Sequence, residues 1–230
     1  MERHHELRWG GSAGIGFVVL SLLAYFVPGA PERVDSETGV IAAYVSDNRQ
    51  MILFAALLWS AAAVLLLWFA AAFSEAIRER AWRSDVHLAL LAGAVLVAGG
   101  IFVNAALLAT AAWGVDLRSA ELTVMLYQTS AVLVTVIGIA SALPLAAAGV
   151  GVMRTQLMPD WLGYFAFLAA IVSIVGAFGI FVEDGAMVPG GPVMSLIPLL
   201  VAAGWVLCGS YYMVREQLPE VAGVRPMQQV

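Results

Sequence analysis

Residues 51–73 read MILFAALLWSAAAVLLLWFAAAF, a run of 23 residues with no charged side chain. At about 1.5 Å of rise per residue such a run reaches roughly 34 Å as an α-helix, enough to cross a hydrocarbon core of about 30 Å. Five more runs of the same character lie at 12–27, 86–113, 122–153, 161–182 and 193–214, each bounded by charges, Gly or Pro. The rest of the chain agrees: of its 230 residues 62% are hydrophobic and only 12% charged, and its mean hydropathy is +0.90. These values predict an integral membrane protein, an all-α polytopic bundle of six transmembrane helices. Residues 1–230 are read as a single transmembrane domain with tails at 1–9 and 216–230. The first run is short enough for a signal-peptide core, but no small-x-small cleavage site follows it, so it is read as retained.

An even number of spans puts both termini on one side, and the distribution of Arg tells which side that is. All 11 basic residues are Arg. Arg3, Arg8, Arg78, Arg80, Arg83, Arg154, Arg215 and Arg225 share one side of the predicted topology, against Arg33, Arg49 and Arg118 on the other. Both termini are therefore expected to be cytoplasmic. Trp9, Trp82 and Trp161 then fall at inner ends and Trp113 at an outer end, where an amphipathic ring prefers the headgroup layer. With 16 acidic residues the formal charge is −5, and no basic face is offered to a nucleic acid.

The connection between the first two runs is the long one. It opens with the turn residues Pro28-Gly29-Ala30-Pro31 and continues through Ser36-Glu37-Thr38-Gly39-Val40-Ile41-Ala42-Ala43-Tyr44-Val45. Ser36 is expected to cap a short extracytoplasmic surface helix whose Val40, Ile41, Tyr44 and Val45 share a face, laid on the membrane surface or over the mouth of the bundle. Asp85 and Asp160 stand where they would cap the third and fifth spans. A second Pro-Gly turn, Val188-Pro189-Gly190-Gly191-Pro192, echoes the first and is read as repeated turn chemistry. The fourth run is too long for a simple crossing, so a kink is expected at Pro144, with residues 122–130 projecting toward or past the outer headgroups.

Ionisable groups deep in a bilayer are costly and mark ion pathways, proton relays and catalytic centres. Between the ends of the six runs there are none. A retinal Schiff base needs Lys, a membrane haem needs paired His, and an intramembrane protease needs carboxylates or His at depth, so none of these is expected. His4 and His5, beside Glu2 and Glu6, sit on a stub that fixes no ligand geometry. Cys208, the single cysteine, reads as a small packing residue. No enzyme activity and no cofactor are expected, and no metal site.

What remains inside the membrane is uncharged and polar. Asn104 lies nine residues before Trp113, about 13 Å along the helix, and Gln128 stands seven residues after Glu121, about 10 Å along. Their helices are joined by a short loop and are predicted to be antiparallel neighbours, so the two amides are expected to meet or to line one outward-facing cavity. Trp59 and Tyr127 would complete its wall, with Tyr44 of the surface helix as a lid. Such a pocket would take a lipid or another apolar small molecule. The alternative is a structural or accessory subunit, in which stripes such as Gly93, Val97, Gly100 and Ala166, Ala169, Ser173, Gly176 receive a protein partner or a second copy.

The segments Leu157-Met158-Pro159-Asp160-Trp161-Leu162-Gly163-Tyr164 and Ile41-Ala42-Ala43-Tyr44-Val45-Ser46-Asp47-Asn48-Arg49 resemble a group of uncharacterised six-span membrane proteins from high-GC bacteria. The likeness covers most of the chain, and the Arg-only, Ala-rich composition fits such a source. It implies a six-span topology and a bacterial plasma membrane, and it supplies no activity. In physical terms, Trp161 would anchor a helix start and Arg49 would snorkel to the outer headgroups.

Overall fold

Six long apolar helices form in the places where charge-free sequence is long enough to satisfy its own backbone in lipid. The computed structural model describes residues 2–29, 31–81 and 84–215. Trp82, Arg83, Arg225, Ala30 and the tail 216–230 lie outside the described residues, as do the side chains of Glu2, Arg3, His4, His5 and Glu6. The elements are α1 (Glu2–Phe26), α2 (Thr38–Asp47), α3 (Arg49–Arg80), α4 (Val86–Trp113), α5 (Ala120–Thr155), α6 (Asp160–Ala177) and α7 (Pro192–Val214). Short 3-10 turns follow α4 and α6. No strand occurs among the described residues.

The bundle is a closed ring. Each long helix packs on the next in chain order, and α7 packs on both α6 and α1. Small residues make that closure possible. On α1, Gly10, Gly11 and Gly14 face Ala72 and Phe69 of α3 and Ser210, Met213 and Val214 of α7, so the first and last helices approach along their backbones. The outward faces carry Leu57, Val64, Trp68, Leu96, Val103 and Ile171, all exposed. A bundle made for water would set polar residues there, so these faces are those of a membrane protein.

Several span ends differ from the sequence reading. α3 continues past Phe73 to Arg80 because Glu75 and Arg78 pair at i, i+3 on its surface, which supports the helix beyond its apolar stretch. α5 runs through Pro144 without a break over 36 residues. Its first turns do not project freely, since Thr123, Val124, Tyr127 and Ser130 are buried where α2 lies against them. α6 tightens into a 3-10 turn at Phe178–Phe181.

Helix α2 covers the end of the ring opposite the start of α1. Ile41 and Val45 are completely buried, packed with Ile52, Ala111, Ala112, Val124 and Tyr127. Val40, expected on the same face, is 47% exposed, because one residue of helix turns it about 100° away from Ile41. Ser36 does not cap α2. Glu37 occupies that position, while the Ser36 hydroxyl donates to Glu32 Oε1 at 2.6 Å. Asp85 stands at the cap of α4 but makes no side-chain cap bond. Pro159 takes the cap position of α6, leaving Asp160 in its first turn, where a carboxylate favours the helix dipole. The two Pro-Gly turns do share their chemistry, with Gly29 at φ +84° and Gly190 at φ +70°, a region that side chains with a Cβ avoid.

Candidate functional site

The ring lines a partly open cavity of about 300 Å³. All six long helices reach it. Phe17 and Tyr25 come from α1, Trp59 from α3, Asn104 from α4, Tyr127 from α5, Ser173 from α6 and Ser195 from α7. None of the described residues lining it is charged.

Its floor is aromatic. Phe69 and Phe73 stack with centroids 5.9 Å apart, and Trp205 meets them edge-on at 6.2 Å and 5.7 Å. The indole Nε1–H donates to the Leu162 carbonyl at 3.0 Å, which fixes the ring's orientation and ties α7 to the first turn of α6.

The other end is covered by α2 and by the loop that leads into it. Tyr44 reaches the cavity, and its hydroxyl donates to the Pro28 carbonyl at 3.4 Å. Burial, with Glu32 nearby, pushes the Tyr44 phenol up to about 12, so it stays a neutral donor at physiological pH. The Tyr44 and Tyr127 rings meet edge to face at 5.9 Å. Tyr127 donates to the Glu32 carbonyl at 2.7 Å, and Gln128 Nε2 donates to the Val34 carbonyl at 2.9 Å. Two side chains of α5 thus hold two alternate carbonyls of one loop segment. Asp35, paired with Arg33, also accepts from the Gly185 backbone N–H at 3.4 Å. The Arg33 bond holds the Asp35 carboxyl below its usual range. That contribution is therefore present at neutral pH and is lost only as the pH falls through the lowered value.

Asn104, Trp59, Tyr127 and Tyr44 therefore gather around one space, and Gln128 does not. The expectation that Gln128 would meet Asn104 or face the cavity is corrected. Its amide is taken by the returning loop, a partner that helix spacing alone does not reveal. Asn104 is 5% exposed, and its Oδ1 accepts no hydrogen bond from the protein. Three other polar lining groups differ. Thr135 and Ser141 donate to the carbonyls of Ala131 and Ile137 one turn back on their own helix. Ser195 does the same to Gly191. Sequence reading missed Phe69, Phe73, Ile137 and Pro198 as lining residues. No signal marks them, because every face of a membrane helix is apolar.

Removing the two α5 donors should loosen the loop and leave the ring intact. In a Tyr127→Phe, Gln128→Leu double variant, amide exchange over residues 31–36 is expected to quicken about tenfold, as two hydrogen bonds of roughly 1 kcal/mol each are lost with partial compensation by water. Unchanged protection there would show that these bonds do not hold the segment.

No protein-family model matches the chain, and neither the curated proteins nor the solved structures give a match.

Proposed function

We propose that this membrane protein binds or carries a lipid-like, apolar small molecule in the partly open cavity lined by its six helices. The observation that carries this reading is the cavity itself. Protein interiors pack as tightly as organic crystals, with few voids larger than a water molecule, yet this ring keeps about 300 Å³ open. That is twice the roughly 150 Å³ of an engineered apolar cavity that stays dry and takes up benzene. Leaving such a space unfilled forfeits dispersion contacts on every wall. A bound molecule restores them.

The Arg residues supply the orientation. Arg8, Arg78, Arg80, Arg154 and Arg215 lie toward the end where α1 begins and α7 stops, against Arg33, Arg49 and Arg118 toward the α2 end. The positive-inside rule makes the first end cytoplasmic, so Tyr44 and α2 close the cavity on the outer side. With the likeness to high-GC bacterial proteins, this supports a bacterial plasma membrane.

The test is occupancy. Protein extracted into polymer-bounded lipid discs and released for native mass spectrometry is expected to carry a non-protein mass. Val97, on the cavity wall and 8% exposed, is the site for filling the space: Val97→Phe should fold and lose that mass. Folded Val97→Phe protein retaining it, or wild-type protein that never carries it, would refute the reading.

A further inference from the structure

The ring does not close evenly between its first and last helices. At the end away from α2, Gly10, Gly11 and Gly14 of α1 lie against Ser210, Met213 and Val214 of α7, so the two backbones approach closely. Toward α2 the seam changes. Among the described residues one side-chain hydrogen bond spans it there, between the Tyr25 hydroxyl and Ser195 Oγ at 3.4 Å. Ser195 donates its own proton to the Gly191 carbonyl at 2.8 Å, which leaves Tyr25 as the donor, and 3.4 Å is long for an O–H···O bond.

The same half of α7 stands apart from the other spans. None of residues 193–202 is buried, whereas Ala203, Trp205, Val206, Ser210 and Met213 further along are. Each of the other five long helices buries residues in its half nearer α2, among them Ala24, Ala55, Asn104, Tyr127 and Ser173. Two backbone breaks bound the loose segment. Gly190, at φ +70°, precedes it, and Pro198 lies within the helix, where it offers no N–H to the Met194 carbonyl. Such breaks are where membrane helices bend. Against α6 the segment is tight, since a Cβ at Gly176 would lie 2.7 Å from Pro198 Cγ and one at Gly179 2.9 Å from Met194 Cγ. The seam free to part is therefore the one with α1. Tyr25 and Pro28 on one side of it, and Ser195, Pro198 and Leu199 on the other, all line the cavity.

We propose that residues 193–198 of α7 form a lateral gate. The segment pivots on α6 about Pro198, parts from Tyr25, and admits an apolar molecule to the cavity from the bilayer leaflet on the α2 side. This rests on the cavity-binding reading above, and the experiment separates the two. The reporter is Val97→Cys on the cavity wall, in a Cys208→Ala background that leaves one thiol, with the protein in lipid discs. Its modification is timed with dodecyl methanethiosulfonate, which partitions into lipid, and with trimethylammonium-ethyl methanethiosulfonate, which stays in water. The dodecyl reagent is expected to react faster. Pro198→Ala restores the missing N–H and should slow that reaction about fivefold, the equivalent of one helix hydrogen bond. Spin labels on Phe26→Cys and Ile197→Cys, both at exposed positions, follow the seam itself. Their distance distribution should be broader than that of a pair at the exposed Trp9 and Leu207, and Pro198→Ala should narrow it.

An unchanged rate or an unchanged width in Pro198→Ala would overturn the gate. Faster reaction with the charged reagent would put the entrance on the aqueous side and overturn it too. So would quicker dodecyl modification in Gln128→Leu, which frees the loop leading into α2. Native mass spectrometry decides occupancy separately. A bound mass alongside any of those three results sinks the gate and leaves the binding reading standing, and a gate that responds to Pro198→Ala in protein that never carries a bound mass does the reverse.

Discussion

Gly14→Leu is expected to leave no monodisperse folded protein in detergent. A Cβ at Gly14 would overlap Ser210 Oγ and lie 2.6 Å from Phe69 Cδ2. Something must shift to make room. Ser210 is fully buried on α7, and Phe69 is held between Phe73 and Trp205. The helices themselves must part, and they part where α1 closes the ring against α7. Even Gly14→Ala should cost about 2 kcal/mol, within the 1–3 kcal/mol range for overpacking a tight interior. Gly99→Ala is the matched control. A Cβ there meets nothing, and Ala in place of Gly inside a helix is favourable by up to about 1 kcal/mol. Thermal unfolding of the three proteins in one detergent measures the contrast. Wild-type stability in Gly14→Ala would mean that the α1–α7 contact does not close the bundle.

Trp205→Ala is expected to cost about 3 kcal/mol, measured by steric trapping or by the thermal midpoint. The loss has three parts: a large side chain 3% exposed, edge-on contacts with two phenylalanines, and the bond to the Leu162 carbonyl. Aromatic-to-alanine changes in soluble cores cost roughly 3–5 kcal/mol. The low end applies because the separated helices would still sit in lipid, so the cost is lost packing rather than exposure to water. Trp205→Phe should recover most of the stability and isolate the contribution of the indole N–H. A cost below about 1 kcal/mol for Trp205→Ala would show that the cavity floor is not a rigid platform.

How far the sequence revealed this arrangement depends on what kind of signal each feature leaves. Bilayer-spanning helices announce themselves by unbroken apolar length, and α4 runs from Val86 to Trp113 just as its charge-free run does. The ends of α1 and α3 are less visible. Charged residues stop an apolar run without stopping a helix, so α3 carries on through Glu75 and Arg78. Asn104 and Tyr127 stood out as polar groups in an apolar background, and both line the cavity. Gln128 stood out equally and proved to hold a loop carbonyl, a contact between residues 94 positions apart that no periodicity encodes. The aromatic floor is the opposite case. Phe69 and Phe73 are indistinguishable in sequence from the lipid-facing Trp68 and Phe102, and only the packing separates them.

The closed ring also sets an order on how the protein is assembled. Since α7 is the helix that bridges α6 and α1, the five spans inserted before it form only an open arc in the nascent chain. During synthesis the future interior is therefore in direct contact with the surrounding acyl chains. Whatever occupies that groove when α7 arrives is ringed by all six helices after the last insertion step, which makes biogenesis itself an opportunity for loading.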